Sequence, residues 1–198
     1  MIEISDKSKC FGCGGCALIC PSKCIEMSFD EEGFLYPVIK DKTRCINCGL
    51  CQKVCPAAKL KKGNNNRDTY WAKNVDDNIR MKSSSGGLFF VLAQYVLEKK
   101  GIVIGAAFSS DFYSAEHIVI DDINNLNKVL GSKYVQSSTR NTFSEVKKYL
   151  LKNSLVLFSG TPCQIAGLKS FLGKEYDNLL TVDVVCHGVP SPYVWKLY

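Results

Sequence analysis

The sequence predicts two unlike modules, a small cysteine-rich α+β module followed by a larger α/β domain. Nine of the eleven cysteines lie within the first 55 of the 198 residues. Beyond residue 69, apolar segments alternate between strand-like and helix-like patterns, which is typical of an α/β layer structure. The polar stretch "KKGNNNRDT" separates the two parts. We therefore expect a first domain over residues 1–60, a linker over 61–78 and a second domain over 79–198.

The composition is that of a globular protein, with 46% hydrophobic residues. No apolar run approaches the ~20 residues that a membrane-spanning helix needs. The start, "MIEISDKSKC", lacks the apolar segment of a signal peptide. We therefore expect a cytoplasmic protein without a membrane span. In a reducing compartment, clustered thiols are more often metal ligands than disulfides.

The net charge of +6 comes mainly from lysines, several of them in short runs. Such runs are most often solvated surface, and the sharper alternative is a docking face for an acidic redox partner protein. No nucleic-acid recognition motif accompanies the charge, so we expect no nucleic-acid partner. The runs are Lys59, Lys61 and Lys62; Lys99 and Lys100; and Lys147 and Lys148.

Two four-cysteine motifs are the strongest signal in the sequence. "CFGCGGCALICP" and "CINCGLCQKVCP" both follow C-x2-C-x2-C-x3-C-P, and every cysteine and the proline recur 35 positions later. Three cysteines at this spacing wrap one [4Fe-4S] cluster, while the fourth, one helical turn on, ligates the other cluster. The motifs therefore predict two interleaved ligand sets: Cys10, Cys13, Cys16 and Cys55 for cluster one, and Cys45, Cys48, Cys51 and Cys20 for cluster two.

Structural zinc is the alternative for these cysteines, but a zinc site needs only four ligands, typically as two C-x2-C pairs. The third cysteine in each loop and the duplication favour clusters. Over residues of about 5–60 the sequence resembles the bacterial-type ferredoxin with two [4Fe-4S] clusters. Between the motifs, "CIEMSF" and "FLYPVI" flank the turn "DEEG" and predict a hairpin. Cys24 is surplus, and we expect it to be a small buried thiol.

In the second domain, helical spacing marks "GLFFVLAQYVLEKKG", "TFSEVKKYLLKN" and "QIAGLKSFLG". Strand patterns mark "IVIGAAF", "EHIVI", "LVLFSG" and "LLTVDVVC". Thr142 is the expected N-cap of the second helix, with Glu145 completing a capping box. No G-x-G-x-x-G follows a strand, so a Rossmann dinucleotide site is not indicated.

Three connecting segments of this domain, which we call joints, are rich in glycine and hydroxyl-bearing residues: "KSSSGG", "GSKYVQS" and "SGTPCQ". The first precedes a helix and predicts either an anion site or an ordinary N-cap. The third follows a strand, where α/β proteins place ligands. Cys163 and Cys186 both follow apolar strands. They are either inert buried thiols or half of a further metal site.

The segments "SSSGGLF", "GSKYVQS", "GTPCQIAGLKSFL" and "VDVVCHGVPSPYVW", in this order behind a double ferredoxin motif, resemble the coenzyme F(420) hydrogenase/dehydrogenase beta-subunit family. The resemblance implies an iron–sulfur flavoprotein that binds FAD. It implies the following assignments: Ser84, Ser85, Gly86 and Gly87 at the flavin phosphates, Lys133 and Tyr134 along the FAD or the substrate, Thr161 and Gln164 near the isoalloxazine ring, and Cys163 and Cys186 on a third [4Fe-4S] cluster.

Family members complete that third cluster with a later cysteine pair, and this sequence has no cysteine after Cys186. We therefore expect the α/β domain to be truncated at its C-terminus, with the third cluster completed by residues beyond it. His187 either modulates this cluster, contacts substrate or lies on the surface.

The resemblance implies an oxidoreductase that passes electrons between a reduced organic donor (the deazaflavin coenzyme F(420) or a similar molecule), FAD and [4Fe-4S] clusters. The expected partners are a redox protein and a small-molecule donor or acceptor. No catalytic residue is identified, and no G-x-S-x-G motif indicates hydrolysis. Two alternatives stay open: a ferredoxin-type carrier whose α/β domain docks a partner, and a non-redox protein with structural clusters that acts on a sugar or nucleotide.

Overall fold

The computed structural model describes residues 6–59 and 68–198 and confirms the predicted order, a cysteine-rich α+β module followed by an α/β domain. Residues 61–67 of the predicted linker, with Lys61 and Lys62, lie outside the described residues. The helices are α1 (Gly15–Leu18), α2 (Leu50–Lys53), α3 (Asp77–Met81), α4 (Leu88–Glu98), α5 (Thr142–Leu151), α6 (Pro162–Leu172) and α7 (Pro192–Leu197). The strands are β1 (Ile25–Phe29), β2 (Leu35–Ile39), β3 (Ile102–Phe108), β4 (Ala115–Ile120), β5 (Ser137–Ser138), β6 (Val156–Gly160) and β7 (Leu179–Asp183). Short 3-10 helices span Lys7–Lys9, Lys42–Arg44, Pro56–Lys59 and Ile123–Val129.

The first module is the predicted hairpin with one short helix on each side of it in sequence. Strands β1 and β2 pair antiparallel, with Ile25 opposite Ile39 and Phe29 opposite Leu35. The Asp30 carboxylate closes the turn by accepting hydrogen bonds from the Glu32 and Phe34 amides at 3.1 and 3.0 Å. An acidic side chain that bonds the backbone two to four residues on is a common turn device.

The second module is built on a five-stranded sheet of order β5-β4-β3-β6-β7. Strands β3, β6 and β7 run parallel, which agrees with their continuous apolar sequences. Strand β4 follows β3 across a short turn and pairs with it antiparallel, so the sheet is mixed. Strand β5, only two residues long, pairs parallel with the start of β4.

Helices cover both faces of this sheet, because successive side chains of β3 point to opposite sides. Ile102 and Ile104 join one core with α5 and α6, while Val103 and Ala107 join the other with α4. The first core consists of Ile102, Ile104, Phe143, Val146, Leu150, Val156, Phe158, Ile165, Leu168, Phe171 and Leu172. Leu18 and Ile19 of the first module pack against this core, so the two modules share an apolar contact.

Two helix starts differ from the sequence expectation. Helix α5 has Asn141 at its N-cap, so the prediction that Thr142 is the cap was wrong. The Thr142 hydroxyl instead donates to the Thr139 carbonyl, because one residue further into the helix it points back at the preceding turn. Helix α6 begins at Pro162, two residues before the predicted start, because proline is preorganised for the first helical position.

The described part of the predicted linker, residues 68–78, includes the start of α3 and contacts the second module. The Asn74 amide donates to the Gly86 carbonyl at 2.6 Å, just before α4. Within residues 6–59 and 68–198, no helix has the length and apolarity required to cross a membrane.

Candidate functional site: two cysteine pockets and a cofactor edge

The eight motif cysteines line two separate pockets, and each pocket receives cysteines from both motifs. The first pocket is lined by Cys10, Cys13, Cys16 and Cys55. The second is lined by Cys20, Cys45, Cys48 and Cys51, with Cys24 beside them. Each pocket is therefore bordered by the four cysteines of one predicted ligand set. The donor set of each pocket, four thiols, fits one [4Fe-4S] cluster.

Duplicated backbone geometry produces this interleaving. Gly14 and Gly49 both have φ of +71°, the left-handed conformation that glycine adopts without strain, and each starts a four-residue helix. Asp6 and Asp41 likewise cap the 3-10 helices that precede each loop. The fourth cysteine of each motif follows its short helix, which carries it out of its own loop and into the other pocket.

Burial keeps the Cys13 and Cys16 thiols of the first pocket protonated when no iron is bound. Desolvation raises the pKa of Cys13 to about 11 and that of Cys16 to about 12. Iron binds thiolates, so cluster insertion has to displace these protons. Loading of the first pocket therefore becomes easier as pH rises.

Cys24 is buried, with 2% of its surface exposed, and its Sγ lies 3.4 Å from the Sγ of Cys20. The hydrogen bond with Cys20 raises the pKa of the Cys24 thiol to about 11. It lies at the wall of the second pocket, as expected for a surplus thiol. The four other sulfurs there already supply a complete ligand set.

The α/β domain presses directly on the first cysteine loop. A Cβ atom placed on Gly167, in the middle of α6, would lie 2.8 Å from Cys13 Cβ and 2.9 Å from Cys13 Sγ. The Thr139 hydroxyl donates to the Cys13 carbonyl at 2.9 Å. The Leu35 amide donates to the Gln136 side chain at 3.4 Å. Sequence reasoning missed these residues, although a glycine inside a helix is itself a signal of close backbone approach.

A second contact joins the tip of the hairpin to the end of the chain. The Ser191 hydroxyl donates to the Glu32 carbonyl, and the ring of Tyr193 lies 5.7 Å from that of Phe29. The Gln136 amide in turn donates to the Pro190 carbonyl at 3.0 Å. Together with the α6 contact, this fixes the first module against the second at two separated places.

The glycine- and hydroxyl-rich joints of the second domain gather at one edge of the sheet. "SGTPCQ" follows β6 and "VVCHG" follows β7, so both lie at the carboxyl ends of parallel strands. Helix α4 returns to the start of β3 through a short turn, which places its own N-terminus at that same edge. Strand β5 pairs with the start of antiparallel β4, which also lies there. Ligands of open α/β sheets bind outside the carboxyl ends of strands.

The structure brings the first two joints into contact. The Ser132 amide donates to the Ser84 hydroxyl at 2.6 Å, across 48 positions of sequence. Ser84 and Ser85 are exposed ahead of Gly87, the left-handed N-cap of α4. Free amides at the start of an eleven-residue helix favour an anion.

Lys133 directly follows Ser132, the residue whose amide bonds Ser84. Its ammonium donates to the Leu130 and Gly131 carbonyls at 2.8 and 3.0 Å, which leaves one of its three protons without a partner among these contacts. Burial lowers the pKa of Lys133 to about 8. Tyr134, its neighbour, has 74% of its surface exposed.

The third joint connects the sheet edge to the first cysteine pocket. Gln164 accepts from the Thr161 amide at 3.0 Å and donates to the Ser137 carbonyl at 3.1 Å. The Thr161 hydroxyl lies 3.0 Å from Cys163 Sγ. Thr139, which donates to the Cys13 carbonyl, lies two residues after Ser137. Residues 137–139 therefore connect Gln164 with the first cysteine loop.

The sulfurs of Cys163 and Cys186 make different contacts. Cys186 lies three residues beyond β7, and its Sγ is 3.8 Å from the Gly188 carbonyl oxygen. No hydrogen bond joins it to Cys163 in the described part of the chain. A third cluster on these two cysteines therefore stays a prediction.

His117, which sequence reasoning missed, supports the loop that carries Cys163. Its Nε2 lies 3.0 Å from the Ser159 carbonyl, which can only accept, so Nε2 carries the proton. Its ring stacks on Phe158 at 5.2 Å. Burial lowers the pKa of His117 to about 4, so the ring is neutral at physiological pH.

Four family profiles match this chain. Residues 9–59 match a 4Fe-4S dicluster domain, and a second dicluster profile matches residues 37–84. Two further profiles describe the two ends of the beta subunit of coenzyme F420 hydrogenase/dehydrogenase. The N-terminal profile matches residues 69–143, and the C-terminal profile matches residues 153–198. The dicluster prediction with its eight N-terminal cysteines and the family resemblance are thereby confirmed.

Individual relatives are distant. The "Coenzyme F420-dependent sulfite reductase" of Methanocaldococcus jannaschii is 27% identical over 188 residues, which are 95% of this chain and 29% of that protein. The chain thus spans less than a third of the length of this curated relative. A chain from the F420-reducing [NiFe] hydrogenase complex of Methanosarcina barkeri aligns with a TM-score of 0.44 and 21% identity, over 58% of this chain and 42% of that one.

Gly167→Ala should separate the two modules locally. A methyl group at this position collides with Cys13, and overpacking of this kind costs about 1–3 kcal/mol in the free energy of unfolding. Anaerobic urea unfolding of the cluster-loaded protein measures this cost. Ala166→Leu, on the exposed side of the same helix, is the control and should stay near wild type. Equal stability of Gly167→Ala and wild type would show that α6 does not press on the cysteine loop.

Thr139→Val should loosen the first cysteine loop and leave the second unchanged. The substitution keeps the shape of the side chain but removes the hydrogen bond to the Cys13 carbonyl, worth about 1 kcal/mol. Anaerobic iron release to a chelator should become faster for one of the two clusters. Thr43→Val, which removes an exposed hydroxyl before the second loop, should change neither rate. Acceleration of both clusters by Thr139→Val contradicts the assignment.

Proposed function

Since the chain belongs to the coenzyme F420 hydrogenase/dehydrogenase beta-subunit family and carries a 4Fe-4S dicluster domain, we propose that it is an iron–sulfur flavin-dependent oxidoreductase. It passes electrons between a reduced organic donor, FAD and two [4Fe-4S] clusters. The donor class is a reduced deazaflavin or a similar molecule, which agrees with the coenzyme named for the sulfite reductase relative. The cytoplasm is the proposed compartment, because none of the eleven cysteines is in a disulfide, which is typical of a reducing environment.

The observation that carries the flavin assignment is the contact between the Ser132 amide and the Ser84 hydroxyl. This hydrogen bond brings the segments "KSSSGG" and "GSKYVQS" together into one polar site at the N-terminus of α4. Ser84, Ser85, Gly86 and Gly87 supply hydroxyls and backbone amides, and Lys133 supplies positive charge. This donor set fits the pyrophosphate of FAD.

A bound flavin supplies the conversion between two-electron hydride chemistry and one-electron transfer. The chain's own residues hold and orient it. Gln164 and Thr161 form a hydrogen-bonded corner at the end of β6, adjacent to Ser137. Because the Ser137–Thr139 segment also bonds the Cys13 loop, the cofactor edge and the first cysteine pocket are fixed relative to each other.

Cofactor analysis of the anaerobically purified full-length protein tests the proposal. We expect about eight irons from the two dicluster pockets, or about twelve where a third cluster forms, together with about one FAD per chain. Iron, acid-labile sulfide and released flavin are measured on the same sample. Eight irons without flavin would contradict the flavoenzyme and leave a two-cluster electron carrier.

The pKa of Lys133 predicts how FAD affinity depends on pH. Its ammonium is charged below about pH 8 and loses the proton above, so its attraction for pyrophosphate weakens as pH rises through 8. FAD affinity, followed by quenching of flavin fluorescence, should be higher at pH 7 than at pH 9, by about tenfold at most.

Lys133→Met should bind FAD more weakly at pH 7 and lose most of the change between pH 7 and 9. Lys128→Met, an exposed lysine on the preceding 3-10 helix, is the matched control and should keep both the affinity and its pH dependence. Wild-type binding by Lys133→Met would show that the phosphates lie elsewhere.

A further inference from the structure

The two cysteine loops have matching sequences and opposite surroundings. In the first loop, a Cβ placed on Gly14, the equivalent of Gly49, would lie 3.7 Å from the Thr139 hydroxyl oxygen and 3.8 Å from the Met27 side chain. At Gly49 in the second loop, an added Cβ would meet no atom within 4 Å. The α/β domain therefore covers one half of the repeat and leaves the other half open.

The open half presents an apolar tip. We call residues 46–49 the second-pocket loop. Ile46 has 67% of its surface exposed and Cys48 is exposed, whereas Phe11 and Cys13, their equivalents 35 positions earlier, are half-buried. Most of the Ile46 side chain is exposed beside the second pocket, so it contributes little to the packing of the protein. It is suited to contact another molecule.

Basic side chains surround this tip. Lys42 and Arg44 lie on the 3-10 helix before the second-pocket loop, and Lys53 ends α2 after it. All three are exposed, and none forms an ion pair with another residue in the described ranges. The basic side chains near the first loop differ, because Lys7 pairs with Asp30 and Lys9 with Asp6.

We propose that the second-pocket loop, with Lys42, Arg44 and Lys53, is the docking surface for an acidic electron-carrier protein. The proposal rests on the proposed function, because it requires that electrons pass through the clusters. Electrons that reach the second pocket leave the protein through the exposed side of that pocket. Unpaired positive charge around an apolar centre steers an acidic protein into a weak complex. A small contact of this kind is typical of electron-transfer encounters.

The choice of a protein occupant follows from the charge and the shape. A membrane surface requires a broad apolar or polybasic face, and here one aliphatic side chain and three charges surround a narrow loop. The surface also adjoins Cys48, the exposed thiol of the second pocket, so a carrier seated there comes close to the cluster ligands.

Binding to an acidic plant-type [2Fe-2S] ferredoxin tests the proposal directly. The full-length, cluster-loaded protein is titrated with this probe anaerobically by calorimetry. We expect binding at low ionic strength whose Kd rises with added salt. The triple variant Lys42→Glu, Arg44→Glu, Lys53→Glu should raise the Kd by at least about tenfold.

The matched control is Lys99→Glu, Lys128→Glu, Lys152→Glu, which changes the net charge by the same amount on exposed positions of the α/β domain. It should raise the Kd by less than about threefold. Equal weakening by the two triple variants, or no binding of the probe by the wild type, overturns the proposal.

Two further measurements locate the contact. Ile46→Ser, which alters no charge, should raise the Kd by about fivefold through lost apolar burial. Carbodiimide cross-linking to the probe should join its carboxylates to Lys42 and Lys53. Cross-links confined to Lys99, Lys128 or Lys152 would overturn the proposal.

Failure of the docking surface and failure of the proposed function give different results. If the protein contains no flavin but still binds the probe through Lys42, Arg44 and Lys53, the docking surface is supported and the flavoenzyme assignment is wrong. If the protein contains FAD but the triple substitution does not change the Kd for the probe, the flavoenzyme assignment is supported and the docking surface is wrong.

Discussion

The contact between Cys13 and Gly167 is the constraint on which the arrangement of this molecule depends. Only a residue without a side chain lets α6 approach the first cysteine loop so closely. The same helix carries Cys163 and Gln164 at its N-terminus and buries Leu168 and Phe171 in the main core. One rigid element therefore connects the core of the α/β domain, the sheet edge at the end of β6 and the first cysteine loop.

This contact turns a symmetric repeat into a structure with two different ends. The motifs, the left-handed glycines and the aspartate caps are duplicated, so each half alone has the same means of forming a pocket. Packing of the α/β domain on one half covers the first cysteine loop and leaves the second exposed. A chain of two clusters acquires a direction in this way, with one end toward the sheet edge that we propose binds FAD and the other end toward solvent.

The sequence was informative wherever the determinant is local. Cysteine spacing predicted the two ligand groups, because the turn, the short helix and the trailing cysteine are set within twelve residues of sequence. Apolar patterns predicted the hairpin, four strands and three helices. The family resemblance pointed to Ser84, Lys133 and Gln164, which the structure places at one edge of the sheet.

The contacts between modules could not be predicted in the same way. The hydrogen bond from Thr139 to Cys13 joins residues 126 positions apart. Nothing in the sequence around either residue indicates that the other is its partner. The N-cap of α5 lies at Asn141, because Thr139 is held by its tertiary hydrogen bond to Cys13 and the Thr142 hydroxyl bonds back to the Thr139 carbonyl. The two-residue strand β5 has too few residues to show a period.

Amide hydrogen exchange of the cluster-loaded protein shows whether the α/β domain covers only the first cysteine loop, because the repeat contains its own control. Residues 11–16 and 46–51 have the same cysteine spacing and the same local geometry. We expect the amides of residues 11–16, covered by α6 and Thr139, to exchange more slowly than those of residues 46–51, by about tenfold or more. Equal exchange of the two loops, or slower exchange of the second, would contradict this expectation.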